Sequence, residues 1–316
     1  MYKKILVPLD GSTFAEQALP RAGALAAAHH TSIALVMVHR APTPNFAPDG
    51  VWLDVSGLEA ELRTQQQHYL EKIAAELREK FNIVVCSELL DAPTTSAICN
   101  YAQAHGVDLI AMTTHGRTGF SRAWLGSVAD DIVRHSVIPV LLLRPHTNAV
   151  PTLRDTQRHG GFHRILVPLD GSPKAELAIH HAAALGNASD ASYVLARIVA
   201  PVPMIPTDLP LDFIASGLPV DSVATARCLL QARLYLAVQV VALKSDGCVA
   251  PVETQVRLAS EVAPALIGLA ESEGVDAIAM TSHGRGGSRL FVGSVADKIL
   301  RGTSSAVMLF HPPPHP

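Results

Sequence analysis

The sequence predicts two doubly wound α/β domains in tandem, each built around a parallel sheet. Three blocks recur in the same order in the two halves of the 316-residue chain. The paired blocks are ILVPLDGS at Ile5–Ser12 and Ile165–Ser172, D-x-I-A-M-T-x-H-G-R-x-G from Asp108 and Asp276, and G-S-V-A-D from Gly126 and Gly293. The offsets of 160, 168 and 167 residues are too long for a solenoid of small repeats, so one complete domain has been duplicated.

The bulk composition limits the class of protein. The chain is long enough for two domains of about 150 residues, and its 48% hydrophobic and 17% charged content is typical of a globular protein. A net charge of −3 without basic runs argues against nucleic-acid binding. We expect no membrane span, because no apolar run approaches about 18 residues. The first apolar run ends at Asp10, which predicts no signal peptide and a cytoplasmic location.

In the first half, short apolar runs alternate with helical segments, which predicts a sheet covered by helices on both faces. The predicted strands are Lys4–Leu9, Ser32–His39, Ile83–Leu90, Asp108–Met112 and Ile138–Leu143. The predicted helices are Phe14–His29, a long helix containing Leu58–Leu77, Thr94–His105 and Gly126–His135.

Local signals refine two of these helices. Pro173 follows Ser172 in the second half, which favours Ser12 over a Thr13–Glu16 capping box as the start of the first helix. Pro20 lies inside that helix and is expected to kink it. One face of the long helix is predicted to lie in the core, and its residues are Leu58, Leu62, Tyr69, Ile73 and Leu77. Asp91, just before Pro93, is interpreted as a turn residue without a role.

The second half repeats the pattern. Its predicted strands are Arg164–Leu169, Tyr193–Ile198, Val252–Leu258, Ala277–Met280 and Ala306–Phe310, and its predicted helices are Pro173–Leu185, Val223–Lys244, Pro264–Glu273 and Gly293–Arg301. The polar, Pro- and Gly-bearing segment between the halves is typical of a surface linker. We therefore predict domains at 1–146 and 162–316, joined by a linker at 147–161.

Candidate chemistry lies where the predicted strands end, because open α/β sheets bind ligands beyond the carboxyl ends of their strands. Asp10 follows the first strand, a Gly-rich loop spans Thr113–Leu125, and Gly126 opens the next helix. Backbone N–H groups at a helix start suit phosphate, and Arg117 adds positive charge. A plain helix cap and a plain turn aspartate remain open alternatives. The loop matches neither the P-loop nor the G-x-G-x-x-G dinucleotide motif.

DLIAMTTHGRTG, followed by GSVADDIVR and IPVLLL, resembles a universal stress protein domain, and ILVPLDGS resembles its usual first strand. The resemblance covers nearly the whole chain and is to the tandem type. It implies a nucleotide α-hydrolase-like fold with two five-stranded parallel sheets of order 3-2-1-4-5, related by pseudo-twofold symmetry. It also implies pairing through strand five, and hence a homodimer. The implied ligand is ATP or ADP, with Mg²⁺ held by the phosphates.

Nucleotide-binding members of that family carry G-x2-G-x9-G-S/T in this region. Gly116, nine further residues and then Gly126 match its latter part, but Thr113 stands where the family has its first glycine. In the second half Thr281 takes the same place, and only eight residues separate Gly284 from Gly293. The second domain therefore has the weaker claim to a nucleotide.

The resemblance assigns binding positions in both halves. In the first they are Pro8, Leu9, Asp10, Val38, Met112, Thr113, His115, Gly116, Arg117, Gly126, Ser127 and Val128. In the second they are Pro168, Leu169, Asp170, Ile198, Met280, Thr281, His283, Gly284, Arg285, Gly293, Ser294 and Val295. No catalytic residue is predicted, because no carboxylate or nucleophile is placed beside the loop histidines His115 and His283. No metal ligand is predicted, because the pairs His29-His30 and His180-His181 do not align between the halves.

Three functions follow from these observations. The first is a nucleotide-responsive stress-response module that binds ATP or ADP, acts on an unknown protein partner, and has little or no catalysis. The second is an enzyme of related fold that cleaves ATP, but its SGGxDS or HIGH signature is absent from this sequence. The third is a nucleotide-free tandem scaffold for protein partners.

Overall fold

In the computed structural model, the described residues are 2–41, 56–91, 93–114, 125–144, 161–186, 191–204, 220–245, 248–283 and 292–311. They divide into two compact units. The first unit comprises Met1–Phe162 together with Ala306–His311, and the second comprises His163–Ser305 together with Pro312–Pro316. Each unit is an α/β fold with a mainly parallel sheet.

The first unit contains five strands from its own repeat, at β1 Lys4–Leu9, β2 Ser32–His39, β3 Val85–Asp91, β4 Leu109–Thr113 and β5 Val140–Leu143. Its helices are α1 Thr13–Glu16, α2 Leu19–His29, α3 Ser56–Phe81, α4 Thr94–Ala104 and α5 Ser127–His135. These strands lie parallel in the order β3-β2-β1-β4-β5, as the resemblance implied.

The second unit contains β6 Arg164–Pro168, β7 Ser192–Val199, β8 Val252–Leu258 and β9 Ala277–Thr281. Its helices are α6 Pro173–Gly186, α7 Ser222–Ser245, α8 Val262–Ser272 and α9 Ser294–Gly302. These strands are parallel in the order β8-β7-β6-β9 and reproduce the order of the first repeat. The last strand, β10 (Ala306–Phe310), lies in the first unit and pairs antiparallel with β5.

The prediction of one kinked helix over Phe14–His29 was wrong. The structure has two helices, and Pro20 lies in the first turn of α2, where its missing N–H removes no intrahelical bond. The ring of a proline clashes with the carbonyl four residues earlier, and that residue, Glu16, is the last of α1. Two short-range bonds, from Gln17 N–H and Ala18 N–H to the carbonyls three residues earlier, close the turn.

The predicted core face of α3 is buried only in part. Ile73 and Leu77 are buried, whereas Leu58 is 50% exposed, so its prediction as a core residue was wrong. The reason is geometric: a helix of 26 residues is about 39 Å long, whereas the eight residues of β2 beneath it span about 26 Å. The first turns of α3 therefore extend beyond the sheet.

Helix α7 differs from its counterpart α3 in its outer face. It is the one helix among the described residues that is long and apolar enough to cross a bilayer, by length and composition only, and 22% of its most apolar 18-residue window is buried. Its inner side packs on β7 and β8. Large apolar side chains stand exposed on its outer side at Val223, Leu230, Leu234, Val238 and Val241. Thus α7 occupies the place of an ordinary layer helix and carries an apolar outer face.

An aspartate fastens the amino-terminal edge of each sheet. Asp108 accepts hydrogen bonds from the backbone N–H groups of Lys3 and Lys4, at 2.6 and 3.1 Å. Asp276 does the same for His163 and Arg164, at 2.9 and 3.1 Å. This edge lies opposite the carboxyl ends of the strands, where the candidate site is located. We therefore assign these aspartate–backbone hydrogen bonds a structural role and refer to them as the aspartate clamp.

We expect Asp108→Ala to lower the free energy of unfolding by about 1.5–3 kcal/mol, because hydrogen bonds to a charged acceptor are worth about that much. Nucleotide affinity should not change. Chemical denaturation with and without ATP measures both quantities, and Asp276→Ala is the matched change in the second unit. Loss of nucleotide affinity at unchanged stability would contradict a purely structural clamp.

Candidate nucleotide-binding site

The turn after β1 holds the Asp10 carboxylate in a fixed orientation. Its Oδ1 accepts hydrogen bonds from the N–H and the hydroxyl of Ser12, at 2.9 and 2.6 Å. The Ser12 Oγ also accepts from the N–H of Ala15 at 3.1 Å, which confirms Ser12 as the helix cap. Gly11 has φ 81°, a value that glycine adopts without strain. The turn therefore presents Asp10 at the carboxyl end of β1.

The second unit repeats this turn with nearly the same geometry. Ser172 donates from its N–H and its hydroxyl to Asp170 Oδ1, at 2.9 and 2.6 Å, and its Oγ accepts from Ala175 N–H at 3.2 Å. Gly171 has φ 85°. The duplicated carboxylates thus occupy equivalent positions.

The start of α5 is joined to the end of β4. Gly126, the residue before α5, donates its N–H to the carbonyl of Thr114 at 2.8 Å. No side chain caps this nine-residue helix, whose first N–H groups have no intrahelical partner. Because β4 pairs with β1, the helix start lies at the same sheet edge as the Asp10 turn. A carboxylate and a set of backbone N–H groups therefore lie at the same edge of the sheet.

The corresponding glycine of the second unit shows why this position excludes a side chain. Gly293 N–H donates to the carbonyl of Ser282 at 2.8 Å. A Cβ added to Gly293 would stand 2.9 Å from that carbonyl oxygen, which is closer than real Cβ contacts. Gly293 is therefore required for packing at the start of α9, in addition to being a candidate phosphate contact.

The other predicted positions lie around these two turns or outside the described residues. Pro8 and Leu9 end β1, Val38 lies near the end of β2, and Val128 lies in the first turn of α5. Met112 and Thr113 end β4 and are buried. Equivalent places in the second unit are taken by Pro168, Leu169, Ile198, Val295, Met280 and Thr281. The loop positions His115, Gly116, Arg117, Gly284 and Arg285 fall outside the described residues.

One loop histidine is described. His283 is 7% exposed, and its Nδ1 lies 2.9 Å from the Ser282 hydroxyl oxygen. The ring is thus held just after the end of β9 by a hydrogen bond. Among the described residues, no group of three or more His, Cys, Asp and Glu side chains is placed to hold a metal ion.

Comparison with known proteins identifies the fold family. The model of the universal stress protein family matches residues 1–144 and again residues 161–311. The chain belongs to the universal stress protein family. A universal stress protein of Methanocaldococcus jannaschii is 30% identical over 145 residues, covering 46% of this chain and 83% of that protein. One of Mycobacterium tuberculosis is 26% identical over 316 residues and covers 96% of both chains.

Solved structures agree with the tandem fold. A putative universal stress protein from Pseudomonas aeruginosa has a TM-score of 0.62 at 17% identity and covers 98% of this chain and 94% of its own. A universal stress protein from Archaeoglobus fulgidus has a TM-score of 0.61 at 19% identity, with coverages of 98% and 96%. At these identities the likeness establishes the α/β fold across both repeats.

A polar network beside Val38 in this universal stress protein was missed by the sequence analysis. The buried His39 places Nδ1 2.8 Å from Gln66 Oε1 and Nε2 3.8 Å from Glu59 Oε1. Arg63 forms an ion pair with Glu59 at 3.5 Å and a second one with Asp91. The hydrogen bond from Arg63 to Asp91 holds the pKa of the Asp91 carboxyl below its usual range. Asp91 is therefore the last residue of β3 and an ion-pair partner, instead of a turn residue. Only the Glu59/Arg63 spacing signalled this network in the sequence.

Proposed function

We propose that the first unit binds ATP or ADP and that this universal stress protein is a nucleotide-responsive stress-response module with little or no catalysis. The observation that supports this most is the common location of the Asp10 turn and the uncapped start of α5 at one sheet edge. The same pair of features recurs in the second unit. The N–H groups at a helix start favour anions and would suit the phosphates of a nucleotide. A fixed carboxylate accepts hydrogen bonds from hydroxyl groups and would suit its ribose.

In this proposal the base and ribose lie along Pro8, Leu9 and Asp10, and the adenine contacts the backbone at Val38. The phosphates lie against the N–H groups of Gly126, Ser127 and Val128. Mg²⁺ arrives with the phosphates, because Mg²⁺ keeps several waters and is bound largely through substrate phosphate oxygens. A cytoplasmic location, a protein partner and a homodimer belong to the same proposal.

One observation supports a second function, that of a nucleotide-free scaffold. Thr113 and Thr281 stand where nucleotide-binding relatives have glycine, and both side chains are 6% exposed. A buried threonine side chain at this strand end leaves less room for a phosphate to approach the backbone than a glycine would. This favours the alternative of a nucleotide-free tandem scaffold for protein partners.

Thermal unfolding separates the two functions. A ligand that binds only the folded state adds about 2.7 kcal/mol at a concentration of 100 Kd. We expect ATP with Mg²⁺, and ADP, to raise the melting temperature of the full chain, and adenosine alone to raise it less because it lacks the phosphates. The absence of any shift with all three would overturn the nucleotide proposal and favour the scaffold.

A further inference from the structure

The two candidate sites are so alike that their differences are informative. Beside the matching aspartate turns, each unit has a tyrosine on its long helix that donates to the glutamate four residues after the capping serine. Tyr69 reaches Glu16 Oε1 at 2.8 Å, and Tyr235 reaches Glu176 Oε1 at 3.0 Å. The second strand of each repeat differs at a position that is apolar in the first unit and charged in the second.

That position is the sixth residue of the second strand in each repeat. Ser32 pairs with Lys4 and Ser192 with Arg164, so the registers are equivalent, and Met37 in β2 corresponds to Arg197 in β7. Met37 is buried. A guanidinium at the same place carries a permanent positive charge and five N–H donors that a methionine lacks.

The Arg197 guanidinium lies directly beside the aspartate turn of the second unit. Its two terminal nitrogens are each 3.0 Å from where a Cβ on Gly171 would stand, and Gly171 immediately follows Asp170. On its other side the guanidinium carbon is 4.9 Å from the centre of the Tyr235 ring. The Arg197 guanidinium thus lies between the Gly171 backbone and the Tyr235 ring, next to the candidate site.

Within the described residues Arg197 makes neither a hydrogen bond nor an ion pair. The nearby Glu176 carboxylate accepts instead from Tyr235 and from Gln239, the latter at 3.1 Å. Arg197 is only partly exposed. Because a partly buried charge without an ionic partner is unfavourable, and because guanidinium binds phosphate in a bidentate manner, this arrangement favours an anionic ligand.

We propose that Arg197 gives the second unit a preference for an adenine nucleotide that carries a phosphate on the 2′ or 3′ hydroxyl of its ribose. This inference rests on the proposed function, which places the ribose beside Asp170. An arginine near the ribose is also how dinucleotide-binding folds accommodate a ribose phosphate. Between Gly284 and Gly293 the sequence has one residue fewer than between Gly116 and Gly126.

The test compares ligands and residues that differ in one feature. Calorimetric titration of the full chain uses AMP, adenosine 2′,5′-bisphosphate and adenosine 3′,5′-bisphosphate, with the first site disabled by Ser127→Asp. We expect one of the two bisphosphates to bind at least about tenfold more tightly than AMP, the size of one good charged contact. Arg197→Met, which installs the residue of the first unit, should remove that preference and leave AMP affinity within about twofold.

Control measurements separate the possible failures. Circular dichroism and the melting temperature of Arg197→Met establish that the variant is folded, and Arg197→Lys should retain part of the preference because it keeps the charge. Equal affinity for AMP and both bisphosphates, or a preference that survives Arg197→Met, would overturn this inference while ATP binding by the first unit stands. Absence of nucleotide binding by the unmodified chain would overturn the proposed function and this inference together.

Discussion

Ser127→Asp is expected to abolish the stabilisation of the first unit by ATP while making the nucleotide-free protein more stable. Ser127 is the first residue of α5 and is exposed, so the change disturbs no core packing. A carboxylate in the first turn interacts favourably with the helix dipole and contributes about 0.3–1 kcal/mol. The same carboxylate stands where the proposal places a phosphate, and the two negative charges repel.

The opposite signs of the two effects make this variant informative. Ser127 is a better choice than Gly126. The residue equivalent to Gly126 in the second unit, Gly293, has no space for a Cβ, so a substitution at Gly126 would also be expected to disturb the backbone. Denaturation with and without ATP and Mg²⁺ should show the increase of about 2.7 kcal/mol at 100 Kd for the unmodified chain and none from the first unit in Ser127→Asp.

Two matched variants control the experiment. In Ser127→Asn the new side chain has nearly the same size as that of aspartate but no charge. We expect this variant to keep most of the stabilisation by ATP. Ser294→Asp places the same charge at the start of α9 in the second unit and should leave ATP binding by the first unit intact. An unchanged ATP effect in Ser127→Asp would exclude α5 from the phosphate site.

Mild acid is expected to destabilise the protein through His181 in α6. Burial, followed by the charge of the neighbouring His180, lowers the pKa of His181 from 6.5 to about 4. The unfolded chain binds a proton near pH 6.5, whereas the folded chain does so only near pH 4. Stability is therefore complete above pH 6.5 and falls progressively as the pH is lowered to about 4.

The size of this effect has an upper limit. One pKa unit corresponds to 1.36 kcal/mol, so the difference between 6.5 and about 4 allows at most about 3.4 kcal/mol, and the partial exposure of the ring reduces it. His181→Gln should flatten the dependence of the unfolding free energy on pH between 6.5 and 4. The matched variant His180→Gln, at an exposed position, removes only the smaller of these two causes and should change it less. Identical pH dependence in His181→Gln and the unmodified chain would refute the assignment.

Much of the fold was accessible from the sequence because the strands are apolar runs with polar ends. The bounds of β1, β2 and β10 are those predicted, since largely buried strands leave a nearly continuous hydrophobic signal. The bounds of β8 are also those predicted, although this edge strand is mostly exposed and alternates polar with apolar residues. The division into α1 and α2 was not accessible in the same way. A proline inside a helical pattern signals either a kink or a boundary, and only the position of its turn in the folded chain decides between them.

The candidate site was accessible in part for a related reason. Asp10 and Gly126 could be placed at one sheet edge because parallel strands end together. Arg197 and Arg63 gave no comparable signal, because their partners Gly171, Tyr235 and Asp91 are brought near only by strand register and helix packing. Contacts between distant segments therefore limited the prediction more than local structure did.

A crystal structure of the full chain with ATP and Mg²⁺ tests the central claim most directly. The account predicts the triphosphate against the N–H groups at the start of α5, with the ribose hydroxyls beside the Asp10 carboxylate. A crevice occupied by the Thr113 side chain and solvent alone, in crystals grown at saturating ATP, would contradict it.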